Sequence, residues 1–198
     1  MKVKIIGSIC ISFMIVFTIL TILPVNGEAE IYDNMIRLHV LSNSDSREDQ
    51  ALKLKVRDAV LKKAESINAE DAAEAYIKTE ESLEILKKAA EEKIREEGYS
   101  YPVSVTLGKE RYPEREYDGF TLPAGEYTSL RVLIGEAEGK NWWCVLYPPL
   151  CTASASKREE VFIAAGFTEG QYEAITESEN KTYKVKFKIV EILRELFA

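Results

Sequence analysis

Two cysteines, one histidine and a short run of small polar residues are the groups in this 198-residue chain that could do chemistry. Cys144 and Cys151 flank Val-Leu-Tyr-Pro-Pro-Leu, whose two prolines can turn the chain back on itself. In an oxidising compartment such a pair persists as a bridge, and closing so short a loop stabilises by roughly 2–3 kcal/mol on the chain-entropy account. The alternative is two buried free thiols. A third reading makes Cys144 a nucleophile with His39, the single histidine, as its base. The spacing of that pair matches no cysteine-hydrolase signature, so it has meaning only if the fold brings the two together. His39 sits between Leu38 and Val40 and, on strand alternation, faces away from both, as a structural or surface histidine does. No H-x-x-x-H or C-x-x-C spacing, P-loop, G-x-G-x-x-G or G-x-S-x-G elbow occurs, so no metal or other cofactor is expected.

Two groups fit contact better than catalysis. Asn43, Ser44 and Asp45 lie within Ser42–Ser46, five small polar residues that favour a turn and present hydrogen-bonding groups at a helix start. Trp143 and Tyr147 alternate together with Val145, while Trp142 faces with Cys144. One of those faces is core; the other is a candidate aromatic contact surface. The candidate partner contacts are therefore Asn43, Ser44, Asp45, Trp143 and Tyr147.

These groups need elements to position them. Ile36–Leu41 reads as a strand with Ile36, Leu38 and Val40 on one buried face. A helix follows, capped by Asp45 or Ser46 with Glu48 or Asp49 three positions on. It places Leu52, Val56, Ala59 and Val60 on one side, carries Asp49–Lys53 and Asp58–Lys62 as i,i+4 pairs, and ends near Glu65. A second helix opens at Asn68 and runs to Gly98, with Ala72, Tyr76, Leu83, Leu86, Ala90 and Ile94 as its apolar stripe. Val103–Leu107 reads as a strand closed by Gly108, and 109–118 as a charged loop. Pro123-Ala124-Gly125 suggests a type II turn. Leu130–Ile134 and Trp142–Tyr147 suggest a hairpin across the 135–140 loop. Beyond Cys151 the pattern is weakest: a short helix over 159–165 ended by Gly166, a polar loop over 171–183, and a mostly helical 184–197. The expected class is α+β, a small, mainly antiparallel sheet packed against two amphipathic helices.

Lys2 and Lys4 precede Ile5–Leu23, a charge-free run that spans about 28 Å as a helix, close to a bilayer core of about 30 Å. Val25 and Gly27 are small residues two apart, as at a cleavage site. Residues 1–27 are thus a signal peptide or signal anchor, 28–34 a spacer, and 35–198 a single globular domain that crosses the membrane and touches it through the N-terminal segment alone. The net charge of −7 and the lack of a dense basic run argue against nucleic-acid binding.

The strand–turn–helix stretch Met35–Leu61, followed by Leu122-Pro-Ala-Gly-Glu-Tyr127 and Asn141-Trp-Trp-Cys-Val-Leu-Tyr-Pro-Pro-Leu-Cys151, resembles the stage II sporulation protein R family of spore-forming bacteria. That resemblance implies an exported signalling protein, not an enzyme. It implies secretion from the forespore into the space between the forespore and mother-cell membranes. The implied partner is a membrane-embedded receptor, an aspartic protease that processes the pro-sigma-E transcription factor.

Overall fold

The computed structural model describes residues 11–14, 16, 28–150 and 157–176. The chain divides into two units, Ile31–Glu179 and Met1–Glu30 with Asn180–Ala198. In chain order the elements are α1 (Glu28–Asp33), β1 (Ile36–Leu41), α2 (Arg47–Ala64), α3 (Ala72–Glu81), α4 (Leu83–Glu96), β2 (Val103–Tyr112), β3 (Arg115–Tyr117), β4 (Phe120–Leu122), β5 (Gly125–Ile134), β6 (Asn141–Tyr147), α5 (Arg158–Ala164) and α6 (Glu169–Thr176). The class is α+β and the pairing mainly antiparallel. One sheet has the order β2-β5-β1-β6, and β3–β4 is a separate hairpin. β1 runs parallel to β5 and antiparallel to β6, while β2 is antiparallel to β5.

β1 takes the centre of the sheet, and five of its six residues are buried. Its two faces meet different layers. Leu38 and Val40, with Leu130, Val132 and Val103, pack under Leu52, Val56 and Val60 of α2 and Leu86, Ala90 and Ile94 of α4. The second face has its own core, where Tyr112, Tyr127 and Val145 meet Ile31, Phe120, Leu122 and Phe162; Ile36, expected with Leu38 and Val40, joins this second cluster instead, where the pairing with β6 shifts register between Ile36 and Arg37. The sheet is therefore covered on both sides, and the side chains opposite Leu38 and Val40 are enclosed as well.

Leu130–Ile134 and Trp142–Tyr147 do not form the expected hairpin, because β1 lies between β5 and β6. The 135–140 loop crosses the end of β1, and the polar turn after β1 holds it there. Gly139 N–H donates to the Ser42 carbonyl (3.0 Å) and Glu138 N–H to the Asn43 carbonyl (3.2 Å). Gly135 has φ of 60°, and a Cβ on it would overlap the Asn43 side chain. Local alternation cannot reveal an insertion made by a strand a hundred residues earlier.

Other departures have local causes. The long second helix breaks at Ser82, whose hydroxyl donates back to the Lys78 carbonyl (2.7 Å), a bond that competes with the helical ladder. The cap is Asp71, not Asn68; its carboxylate accepts from Glu74 N–H (2.8 Å). Tyr76 stays 37% exposed, and Ala75 and Thr79 turn inward instead. β2 runs on through Gly108 to Tyr112, because Glu110 and Tyr112 face inward while Lys109 and Arg111 face water. Gly125 is not at positive φ and opens β5; glycine is required there because a Cβ would strike the Tyr32 ring. The expected spacer folds as α1 and buries Ile31, and the expected loop at 171–183 begins as α6, which buries Gln171 and Ile175. Gly98 and Gly166, at φ of 84° and 88°, end α4 and α5 as the sequence predicts. The readings of 184–197 and of most of the export segment lie outside the described residues. Among the described residues no helix is long and apolar enough to cross a membrane.

Candidate functional site

The polar turn is a cap first. Ser46 is the N-cap, and its hydroxyl accepts from Asp49 N–H (3.0 Å). The Asp49 carboxylate accepts from Ser44 Oγ (2.6 Å) and Asn43 Nδ2 (3.0 Å). Burial alone would raise the Asp49 pKa, but hydrogen bonds from Ser44, Asn43, Tyr101 and Ser46 hold it below its ordinary value. Asn43 Oδ1 accepts from Glu136 N–H (3.0 Å) and Asp45 Oδ1 from Lys140 N–H (2.6 Å). Lys53, nearly enclosed, donates to Gln50 Oε1 (2.7 Å) and the Lys140 carbonyl (2.6 Å). It therefore does not form the expected pair with Asp49, and Asp58 likewise pairs with its neighbour Arg57 (2.7 Å). The side chains of Asn43 and Asp45 bind the domain's own 135–140 loop, and that of Ser44 binds the start of α2 through Asp49 and Ser46.

A denser cluster sits on the second sheet face. Arg37 and His39 project there from β1, opposite Ser129 and Arg131 of β5 on one side and Val145 and Trp143 of β6 on the other. His39 Nδ1 lies 2.9 Å from Glu110 Oε1, and Nε2 lies 2.9 Å from Asn141 Oδ1. Burial would raise the Glu110 pKa, but Ser129, His39 and Arg131 hold it below its ordinary value. The Arg37 guanidinium, fully buried, lies 4.2 Å from the Tyr112 ring centroid and 4.9 Å from that of Tyr127. Its Nη2 donates to the Tyr117 hydroxyl. Tyr112 OH and Ser129 Oγ share a hydrogen bond of 2.6 Å. Burial pushes the Tyr112 and Tyr127 phenols far up, so both are neutral donors at physiological pH. Trp143 remains half-buried, with His39 on one side (5.5 Å between centroids) and Arg115 over the ring at 3.8 Å.

His39 and Cys144 do not meet. Across β1–β6 Cys144 pairs with Leu38 and His39 with Trp143, so the two side chains occupy opposite faces of the sheet. Both ring nitrogens of His39 also have partners. Cys144 is 9% exposed; Cys151 lies outside the described residues. Tyr147, expected on display, is only 8% exposed and belongs to the second-face core, because the sheet face that it shares with Val145 is covered. Among the described residues no group of three or more His, Cys, Asp or Glu could hold a metal ion.

Arg37, Glu110, Arg115 and the three tyrosines were not singled out by motif or spacing. The available signal was the alternation of Ile36–Leu41 itself, which puts Arg37 on the His39 side of the strand.

The stage II sporulation protein R family model matches residues 32–157. Stage II sporulation protein R of Bacillus subtilis (strain 168) is 34% identical over 195 residues, covering 87% of this chain and 86% of that protein. No solved structure matches the chain.

Proposed function

The chain belongs to the stage II sporulation protein R family and so has a role in sporulation, and from that premise we propose that it is an exported, non-enzymatic activating ligand. Its target is a membrane-embedded aspartic protease that removes the pro-segment of the sigma-E transcription factor. The chain leaves the forespore and acts between the two membranes of the sporulating cell. The observation that carries this reading is the family match, which spans both the strand–turn–helix unit and the β6 segment.

Other features support it. Lys2 and Lys4 ahead of the charge-free run Ile5–Leu23 suit an export segment. Two cysteines flanking a Pro-Pro turn, Cys144 and Cys151, suit a bridge in an oxidising compartment. The separation of His39 from Cys144 on opposite faces favours a binding domain over the cysteine-hydrolase alternative. The half-buried Trp143 with its arginine neighbour is the kind of group that anchors interfaces. Deleting residues 1–27 tests the reading. The shortened chain should accumulate in the cell that makes it and leave pro-sigma-E unprocessed. Full processing by a chain shown to stay inside would overturn the proposal.

A further inference from the structure

The outer edge of β2 is left bare. β2 closes one side of the main sheet, and its 10 residues all pair with β5 without a register shift. Gly135 N–H donates to the Pro102 carbonyl (2.9 Å), one step before that ladder begins. Even-numbered residues of β2 therefore turn their backbone groups to β5, and Val103, Val105 and Leu107 turn theirs outward. Among the described residues nothing pairs with those outward groups. Sheet edges are ordinarily blunted by charge, proline, a bulge or a covering segment. Lys109, Glu110 and Arg111, followed by Pro113, blunt the far half of this one. Val-Ser-Val-Thr-Leu, residues 103–107, has no charge, no proline and no bulge. After Tyr112 the chain turns away from the edge, since Tyr117 of the β3–β4 hairpin accepts from Arg37 of the inner strand β1.

We propose that Val103–Leu107 pairs with the same stretch of a second copy of this chain, antiparallel about a twofold axis at Val105. Val105 then opposes its own counterpart, Val103 opposes Leu107, and Ser104 opposes Thr106. A second copy is the occupant because the stretch matches itself in that register. Val103, Val105 and Leu107 line the helix-covered face, so apolar side chains meet across it. Ser104 and Thr106 are exposed and pair their hydroxyls on the other face. An axis at Thr106 would set Lys109 against Val103, one at Leu107 would set it against Val105, and one at Ser104 would pair only Val103–Val105. Such a dimer is independent of the chain's role as an activating ligand.

Sedimentation equilibrium of the full chain in a density-matched zwitterionic detergent reads the association, and hydrogen exchange of the ¹⁵N-labelled chain reads the edge. A monomer–dimer equilibrium is expected, with the Val103, Val105 and Leu107 amides protected at high concentration and exchanging faster on dilution. Ser104→Glu with Thr106→Glu puts like charges opposite each other on both sides of the axis. It should weaken the dimer about tenfold with an unchanged far-UV spectrum. Ser104→Lys with Thr106→Glu puts opposite charges there and should dimerise at least as tightly as the parent. Both positions are exposed, so the core is untouched, and both variants keep residues 1–27, so association through that segment cannot mimic the difference. A chain that stays monomeric, which would leave the edge to a strand of another protein, overturns the proposal. So do equal dimerisation of the two variants and a Val105 exchange rate that ignores concentration.

Discussion

Replacing Leu52 by aspartate tests the seam between α2 and the sheet. Leu52 is 3% exposed and packs with Leu38, Val40 and Val56. Loss of its side chain removes about 2–5 kcal/mol by analogy with leucine truncations in cores. The new carboxyl has no partner there and takes up a proton in the folded state. Holding it neutral at pH 7 against an ordinary value of about 3.9 adds about 4 kcal/mol at ~1.4 kcal/mol per unit. The sum, about 6–9 kcal/mol, rivals the whole stability of a typical domain at about 5–15 kcal/mol. Leu54→Asp is the control: Leu54 lies on the same helix but is 40% exposed, and the change should stay within ~0.5 kcal/mol. Urea denaturation followed by the fluorescence of Trp142 and Trp143 measures both. The sign with pH is also set. Burial raises the folded-state pKa of the new acid, so its penalty grows as pH climbs above the unfolded value and fades below it. About 4 kcal/mol of the deficit should return near pH 4. Coincident midpoints for the two variants at pH 7, or a deficit that does not shrink with acid, would refute the packing argument.

Three further outcomes are expected. Ser46→Ala should lower stability by about 1 kcal/mol through loss of the α2 cap, read by the same denaturation; no change would remove the cap from the account. Asp49 has a depressed pKa, so its contribution is present above the ordinary carboxylate value near ~3.9 and drains away as pH falls through the folded value. The gap between Asp49→Asn and the parent should therefore close in acid, and a constant gap from pH 7 down to pH 2.5 contradicts this. Cys144→Ser and Cys151→Ser should each cost about 2–3 kcal/mol, and equally; two free thiols in a mass spectrum of unreduced protein would eliminate the bridge.

What the sequence makes legible follows from how local the physics is. The Ser46 cap, the inward Leu52 and Val56, and the helix-ending Gly98 and Gly166 depend on residues within a turn or two, and all stand as read. The hairpin reading of β5 and β6 fails because the partner is chosen by the whole sheet, and the buried strand β1 competes for the place between them. The candidate site suffers from the same limit. Alternation puts Arg37 and His39 on the face opposite Leu38, and a charged face ordinarily means solvent. It is buried here because α1, just ahead of the strand, and the β3–β4 hairpin and α5, from distant parts of the chain, supply the second core. Tyr147 fails for the same reason. The contacts of Asn43 and Asp45 with the 135–140 loop could not be foreseen without knowing that this loop crosses the end of β1.

The central claim is that this chain switches on a protease in another membrane. The most direct measurement is pro-sigma-E processing in a non-sporulating host that carries the receptor protease and its substrate, with this chain exported across the membrane or withheld. The account predicts the shortened sigma factor only when the exported chain is present. Equal processing without the chain, or none when it is folded and exported, would contradict the account.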